Sequence, residues 1–470
     1  MAPMLAAPVK LRWLRALLDQ HLFPTATPSE GRLARWERVL VIVGLLALAI
    51  VLELVRVGWT GSLNALWAED GPVFLQEALS QSLGEAIFSP YSNYLVVVPR
   101  LIGEAATVGP LESAPAVVSI LSAALAALSG LVVWFAAAAH IRNPYLRGAL
   151  AVATVLVPVG GLESTDSAAY ASWYMLFASF WILLWRPATN WGVLFACLFL
   201  LLTALSNPGV WFFAPLVALR LLAARDRRDL AIVATFAAGA AVQLLALAQN
   251  HDPTVDPSWS HQILTAYLQR VLDGAVLGLK LGGTAWDHLG WPLLIVLVLA
   301  GAWGAYVGLR RAGLGARLLA AIALPTSLLL FVVSLYQRAL GPEMAWPDGG
   351  PSSGAGGRYA IVPVLLVISV ALVLVDSAER RQVIRARLSR AGVVALLVLA
   401  VAVGTSFYVG NTEARGTPGW DVALDGAAAS CAAEGLEVEF VPTSPPGFAM
   451  TISCEEISAA AGAEPAPSSP

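Results

Sequence analysis

Long apolar runs separated by short polar turns fill the chain from about residue 39 to residue 409. A helix needs roughly 20 apolar residues to cross the hydrocarbon core of a bilayer. Eleven runs approach or reach that length. They cover about 39–58, 115–139, 147–161, 169–185, 191–205, 210–223, 230–249, 291–309, 317–336, 358–375 and 391–409. The pattern therefore predicts an all-α integral membrane protein, a bundle of about 11 transmembrane helices.

Two segments between these runs are long but too polar to span a membrane. The first, 75–113, is only partly apolar and is interrupted by three prolines. In the second, 250–288, apolar side chains recur at helical spacing between residues 263 and 272, and polar side chains fill the other face. Such a pattern is typical of amphipathic helices that lie on a membrane surface. We expect both segments on the outer face.

The end of the chain has a different pattern. A helix is predicted over Trp420–Ala433, followed by strands over Leu436–Val441 and Met450–Ser453. These elements form a small α+β unit. Residues 458–470 are Ala, Gly, Pro and Ser with one Glu, a composition that predicts disorder.

The chain has three cysteines, and two of them lie in this C-terminal unit. Cys431 and Cys454 could pair if the unit faces an oxidising compartment. A bond between them would stabilise the folded unit by ~3 kcal/mol, and so small a unit needs a covalent staple. We expect this disulfide, with Cys197 free in an apolar run. The predicted organisation is a cytoplasmic segment 1–38, a transmembrane domain 39–409, an extracytoplasmic appendage 410–457 and a disordered tail 458–470.

Composition and charge support this class and give an orientation. Of the 470 residues 58% are hydrophobic and 13% charged, whereas a soluble domain has about 25% charged residues. No basic patch suited to nucleic acid stands out. Arg and Lys cluster before the first run and in alternate turns, which places the N-terminus in the cytoplasm and the C-terminus outside. No signal-peptide pattern precedes the first run. We therefore expect a multi-pass protein of the inner (plasma) membrane.

Two adjacent carboxylates, Glu69 and Asp70, follow the first apolar run. A carboxylate at the centre of a spanning helix costs ~3 kcal/mol on insertion scales, so the pair belongs at the membrane edge. It either caps a surface helix and fixes orientation, or supplies a general base that removes a proton from a hydroxyl. A neighbouring carboxylate can orient such a base or raise its pKa.

Cations are uncommon on the outer side of a membrane protein, so each predicted there needs a reason. They are Arg100, Arg270, Lys280, Arg338 and Arg358. They either pair with acids or lipid headgroups, or bind a phosphate, for which the planar fork of arginine is suited. Arg358 is the best candidate, because it stands where a Gly-rich loop enters a run.

A third polar group, Glu163 and Asp166, lies in a short turn on the same side. These residues either terminate a helix or contact the hydroxyls of a sugar, with Tyr170, Trp173 and Tyr174 as stacking partners. No zinc spacing, phosphate loop or dinucleotide fingerprint is present, and the five histidines are scattered. No cofactor is indicated, and a divalent cation stays open.

Four stretches carry a family resemblance. They are Trp67-Ala68-Glu69-Asp70-Gly71, Tyr94 to Pro99-Arg100-Leu101, Gly357-Arg358-Tyr359 and Cys431…Cys454. With the long first outer loop, the chain resembles the GT-C superfamily of membrane glycosyltransferases, and within it a group of actinobacterial membrane proteins. The resemblance implies a GT-C-like bundle in which Asp70 or Glu69 is the base. The Glu-Asp order differs from the lone Asp or Asp-Glu of other members, which leaves the choice of base open.

The resemblance also implies the reaction and the remaining site residues. A sugar would pass from a polyprenyl-phosphate donor to a glycan, glycolipid or protein acceptor of the cell envelope, with inversion. The residues expected to bind substrate are Arg358, Tyr359, Arg100, Arg338, Glu163, Asp166 and Tyr94. The alternatives are a transporter or flippase of a lipid-linked saccharide and a non-catalytic envelope-assembly protein. We expect the charged residues to converge on one cavity, with Asp70 nearer its centre than Glu69, because Gly71-Pro72 predicts a turn there.

Overall fold

The helices predicted from the apolar runs dominate the fold. The computed structural model describes residues 9–25, 34–161, 165–249, 257–338, 340, 357–381, 388–409 and 418–460. Up to residue 222 the helices are α1 (Val9–His21), α2 (Arg35–Val57), α3 (Trp59–Leu63), α4 (Gln76–Ser80), α5 (Leu83–Phe88), α6 (Val97–Ala106), α7 (Ala114–Ala136), α8 (Pro144–Val155), α9 (Ala168–Leu184), α10 (Asn190–Ala204) and α11 (Ala214–Leu222). Tight helical turns at Ala68–Asp70 and Pro208–Phe213 and a wide one at Gly71–Leu75 adjoin them.

The second half of the chain repeats this pattern and ends in the C-terminal unit. Its helices are α12 (Arg227–Gln249), α13 (Gln262–Ala266), α14 (Gly274–Leu289), α15 (Trp291–Arg311), α16 (Leu314–Arg338), α17 (Arg358–Arg381), α18 (Arg390–Thr405), α19 (Trp420–Glu434) and α20 (Cys454–Ala460). Its strands are β1 (Val438–Thr443) and β2 (Phe448–Ser453). A wide helical turn, Tyr267–Asp273, joins α13 to α14.

Six helices among the described residues are long and apolar enough to cross a membrane. They are Trp36–Val57, Leu111–Ala139, Arg227–Gln249, Trp291–Arg311, Leu314–Arg338 and Arg358–Glu379. Each of the other five predicted runs also contains a helix, but a shorter one. The run predicted over 147–161 is the clearest difference, because α8 ends at Val155, three residues before Pro158.

Burial separates central from peripheral helices. In α17, 83% of the most apolar window is buried, whereas the corresponding share is 6% in α15 and 11% in α2. α17 packs against α16, α9 and α8, and α7 packs against α9 and α2. The exposed faces of α2 and α15 are rich in Leu, Val and Trp, which suits contact with lipid tails.

The two ends of the bundle differ in their charged groups. At the end where α9 and α11 finish, Arg186 pairs with Asp19 and with Asp229 (3.2 Å), and Arg225 also pairs with Asp19. These ion pairs hold α1 against the bundle. The short helices α4 to α6 and the C-terminal unit pack where α7 and α9 begin, at the opposite end. The basic turns and the outer-loop helices therefore lie at opposite ends, as the charge pattern predicts.

The C-terminal unit, hereafter the appendage, consists of residues 418–460. Its strands pair antiparallel, with Val438 opposite Ser453 and Thr443 opposite Phe448. A disulfide joins Cys431 in α19 to Cys454 at the start of α20, and Cys197 is free, so both cysteine predictions are confirmed. The last helix, α20, includes residues 458–460, where the composition predicts disorder, and Ile457 within it is buried. Residues 461–470 lie outside the described residues.

Candidate functional site

A cavity of about 590 Å³ lies at the end of the bundle that carries the appendage. Its polar lining includes Glu69, Tyr91, Tyr94, Asn207, Arg338 and Arg358. Its aromatic and apolar lining includes Tyr170, Trp173, Trp211, Phe212, Leu247, Val333 and Tyr359. The cavity thus combines one carboxylate and two guanidinium groups with a wall on which a sugar ring or a hydrocarbon chain can pack.

Glu69 is held between two phenols. Tyr91 donates its hydroxyl to Oε1 of Glu69 (3.0 Å), and Tyr170 donates its hydroxyl to Oε2 (3.1 Å). Burial, and then the negative charge of Glu69, raise the pKa of Tyr91, so this phenol stays a hydrogen-bond donor at neutral pH. The two bonds fix the plane of the carboxylate at the cavity wall.

A two-residue turn presents Tyr91 and Tyr94 to the cavity. The two tyrosines exchange backbone bonds of 2.9 and 3.1 Å, and Ser92 and Asn93 between them have φ of 49° and 77°. A hairpin turn with two left-handed residues favours Asn or Asp, which tolerate that conformation best after glycine. The local sequence Tyr-Ser-Asn-Tyr therefore places two phenols side by side.

Arg358, the first residue of α17, faces Glu69 across Tyr170. Its Nη1 donates to the Tyr170 hydroxyl (3.0 Å) and its Nη2 to the Tyr359 hydroxyl (3.2 Å). The guanidinium carbon is 4.8 Å from the centre of each of these rings. The Tyr170 hydroxyl thus accepts from Arg358 and donates to Glu69. A carboxylate and a guanidinium are joined through one oxygen, with the cavity beside both.

Arg338 adds a second positive charge to this wall. It is the last residue of α16, so the end of α16 and the start of α17 bring two arginines to one cavity. Burial raises the pKa of Tyr94, and the positive charges of Arg338 and Arg358 oppose this rise. Clustered arginines beside aromatic rings are suited to a phosphate ester.

Asp70 does not line the cavity, so the expectation that it lies nearer the centre than Glu69 is wrong. Its carboxylate is buried at the N-terminus of α9, where it accepts from the amides of Ala169 (3.0 Å) and Ala168 (3.3 Å) and from the Ser167 hydroxyl (3.2 Å). Amides at a helix start lack intrahelical acceptors, and an acid satisfies them. Asp70 therefore joins the first outer loop to α9.

The other predicted site residues are distributed as follows. Tyr94 and Tyr359 line the cavity. Arg100 is buried and does not line the cavity; it donates to Glu77. Its guanidinium carbon is 5.9 Å from the ring centre of Phe74, which does line the cavity. Asp166 accepts from the Ser62 hydroxyl away from the cavity, and Glu163 lies outside the described residues. Of the seven charged residues expected to converge, Glu69, Arg338 and Arg358 do so.

The remaining cations of the outer side also lie elsewhere. Arg270 is buried in the turn before α14, and Lys280 donates to the backbone oxygen of Tyr408. Within the described ranges, no three His, Cys, Asp or Glu side chains come together as a metal site requires.

Burial raises the pKa of Asp70 to about 7, although the bonds from residues 167–169 favour its ionised form. Because the pKa in the unfolded chain is near 3.9, the folded protein binds a proton more tightly between about pH 4 and pH 7. The stability that this proton supplies is present below about pH 4 and is lost as pH rises through about 7.

As the pH rises from about 4 to about 7, we therefore expect the unfolding temperature of the wild-type protein in detergent to fall relative to that of Asp70→Asn. The variant has no titrating carboxyl at this position. Comparing the two proteins removes the contribution of every other titrating group. A difference between them that is constant from pH 4 to pH 8 would contradict the assignment.

Comparisons of the chain with models of known protein families, with characterised proteins and with solved structures found no match. The fold and the site therefore define the class by themselves. The chain is a mostly helical protein with several apolar helices suited to a lipid bilayer. It carries a disulfide-bonded appendage and a polar cavity at one end of the bundle.

Proposed function

We propose that the protein is a membrane glycosyltransferase that moves a sugar from a polyprenyl-phosphate donor to an envelope acceptor. The observation that supports this most directly is the hydrogen-bonded series from Arg358 through Tyr170 to Glu69 on one cavity wall. In this series a carboxylate, a group that can accept a proton, and a guanidinium, a group suited to a phosphate, are joined through two hydrogen bonds. A transfer that displaces a phosphate needs both.

Each group then has a role in an inverting displacement. Glu69 takes the proton of the acceptor hydroxyl while the acceptor oxygen forms a bond to the anomeric carbon of the sugar. The bond from that carbon to the phosphate oxygen breaks, and the electron pair leaves with the polyprenyl phosphate. Arg358 and Arg338 stabilise the negative charge that grows on the departing phosphate. Tyr91 and Tyr170 hold the base in place.

The cavity wall suits both parts of the donor. Trp173 and Tyr359 stand edge to face, with ring centres 5.5 Å apart, and offer flat surfaces to a sugar. Leu247 of α12 and Val333 of α16 continue the lining along two of the membrane-length helices. An isoprenoid chain that enters between these helices would bring its phosphate to the arginines.

We also propose that the bundle crosses the plasma membrane eleven times, with the N-terminus in the cytoplasm and the cavity outside. The five shorter apolar helices would complete the count, and the basic turns would face inward. We expect reporter fusions after Gly58 and Pro470 to be active outside and those after Arg228 and Asp376 inside. A cytoplasmic signal at Pro470 would contradict the odd number of spans.

The proposal is tested with purified protein in lipid nanodiscs and a panel of polyprenyl-phosphate sugars carrying a radioactive label. We expect one donor to yield a labelled product and free polyprenyl phosphate. The alternative, a flippase, predicts movement of a labelled lipid-linked saccharide across proteoliposomes without any change of its glycosidic bond. Translocation with no transfer for every donor would replace the proposal with that alternative.

A further inference from the structure

Ala68, the residue immediately before Glu69, has an unfavourable backbone conformation. Its φ is 45°, in the left-handed region that a residue with a Cβ occupies at a cost of ~1 kcal/mol or more. Ala68 is also buried. The turn that aims Glu69 at Tyr91 and Tyr170 is therefore not one that the local sequence selects, and contacts from elsewhere must hold it.

The appendage supplies those contacts through the end of its hairpin. The amide of Ser444 donates to the carbonyl of Leu66 (2.9 Å), and the carbonyl of Ser444 accepts from the amide of Ala68. The two bonds bracket Trp67, which pairs with Ser444 as strands do. Ser444 thus fixes the backbone on both sides of Trp67, the residue before the strained Ala68.

A second contact holds the other side of the turn. Gly71 lies so close to β1 that a Cβ there would be 2.7 Å from Cγ2 of Thr443. Further on, the amide of Thr451 in β2 donates to the side-chain oxygen of Gln76 (2.8 Å). The hairpin therefore covers the segment from Leu66 to Gln76, with Glu69 on the face away from it, towards the cavity.

The helix of the appendage is anchored to the same segment. The amide of Trp420 donates to the carbonyl of Asn64 (2.8 Å), and Asn64 and Asp421 exchange two further bonds of 2.7 and 3.1 Å. The disulfide joins this helix, α19, to the residue that follows β2. It therefore ties the anchor at Asn64 to the hairpin at Ala68.

We propose that the appendage is a positioning unit for the base: Ser444 and Thr443 hold Leu66–Gly71 so that the Glu69 carboxylate meets its two phenols. This inference rests on the proposed function for the role of Glu69. Its structural part, the dependence of the turn on the appendage, does not. An error of about 1 Å in the position of a catalytic group lowers a rate on the order of 100-fold, so a loosened appendage lowers transfer while the arginines still bind the donor.

The experiment combines hydrogen exchange with kinetics on the full chain in nanodiscs. The variants are Cys431→Ser/Cys454→Ser, which opens the disulfide, and Thr443→Arg, which drives the hairpin off Gly71. Each is made alone and together with Ala68→Gly, since glycine adopts positive φ without strain. Cys197→Ser, the removal of the free cysteine, is the matched control.

We expect both variants to speed amide exchange in peptides covering residues 64–76, with no change in α7 or α17. Transfer should fall about 100-fold in kcat while the Kd for polyprenyl phosphate stays within about twofold. Adding Ala68→Gly should restore part of kcat, which a general loss of stability would not do. Exchange at 64–76 that stays at the wild-type rate in Thr443→Arg would overturn the proposal. If exchange rises as expected but wild-type protein transfers no sugar, the positioning stands and the proposed function fails.

Discussion

Replacing Glu69 by glutamine is expected to lower sugar transfer by at least about 100-fold, the usual contribution of a general base. Glutamine keeps the size of the side chain and can still accept a hydrogen bond from Tyr91 or Tyr170. It cannot take a proton from the acceptor hydroxyl. The loss should therefore appear in kcat, while the Kd for polyprenyl phosphate, measured with the same protein, stays within about twofold.

Asp70→Asn is the matched control, because it removes the adjacent carboxylate by the same change. Asp70 bonds to the start of α9 and does not line the cavity. Loss of its carboxylate should therefore change the unfolding temperature and leave most of kcat intact. The two variants must be compared at equal folded fraction. Full transfer by Glu69→Gln, or a loss confined to Asp70→Asn, would refute the assignment of the base.

Arg358→Ala should weaken the binding of polyprenyl phosphate by about 10- to 100-fold. A hydrogen bond to a charged group contributes about 1.5–3 kcal/mol, and each 1.4 kcal/mol changes the Kd tenfold. Arg358→Lys keeps the charge but loses the planar fork, so its affinity for polyprenyl phosphate should lie between those of the wild type and Arg358→Ala. Binding is measured by titration of the purified protein with polyprenyl phosphate and, separately, with the uncharged polyprenol.

Two controls make the Arg358 result specific. Affinity for polyprenol should be the same in wild type and Arg358→Ala, since only the phosphate contacts the guanidinium. Lys280→Ala removes a cation that is bonded to the backbone oxygen of Tyr408 and is not part of the cavity lining, and it should leave both affinities unchanged. Equal loss in Lys280→Ala would mean that net charge, and not the site, attracts the phosphate.

The helices could be predicted from the sequence because apolar length alone determines where a chain enters a bilayer. The runs at 39–58, 230–249, 291–309 and 317–336 correspond to α2, α12, α15 and α16 within a few residues. The same rule is less informative for short runs. The helix α8 ends at Val155, before the buried Val157 and Pro158, although the apolar run continues beyond it.

The choice between Glu69 and Asp70 could not be predicted, because it depends on a contact far away in the chain. Gly71-Pro72 predicts a turn from neighbouring residues alone. In the structure, the free amides of α9 at Ala168 and Ala169 attract Asp70, which leaves Glu69 to the cavity. No pattern within the first outer loop contains that information.

Part of the site did have a local signal. Two residues, one of them Asn93, between Tyr91 and Tyr94 fit a hairpin turn, and such a turn places both phenols together. A turn of this kind predicts that the two phenols can donate hydrogen bonds to a nearby carboxylate. Arg358 was found because its position at the mouth of a run can be read from the sequence. Its bond to Tyr170 could not, since α9 and α17 meet only in the folded bundle.

The contact between Ala68 and Ser444 joins two segments that lie far apart in the chain. Domains of a growing chain form from the N-terminus onward. The turn that carries Glu69 is therefore synthesised before the hairpin that holds its unfavourable backbone. A chain truncated before Thr443 contains the six membrane-length helices found among the described residues but lacks the partner of Ala68. Formation of the hairpin and completion of the cavity wall are thus the same event.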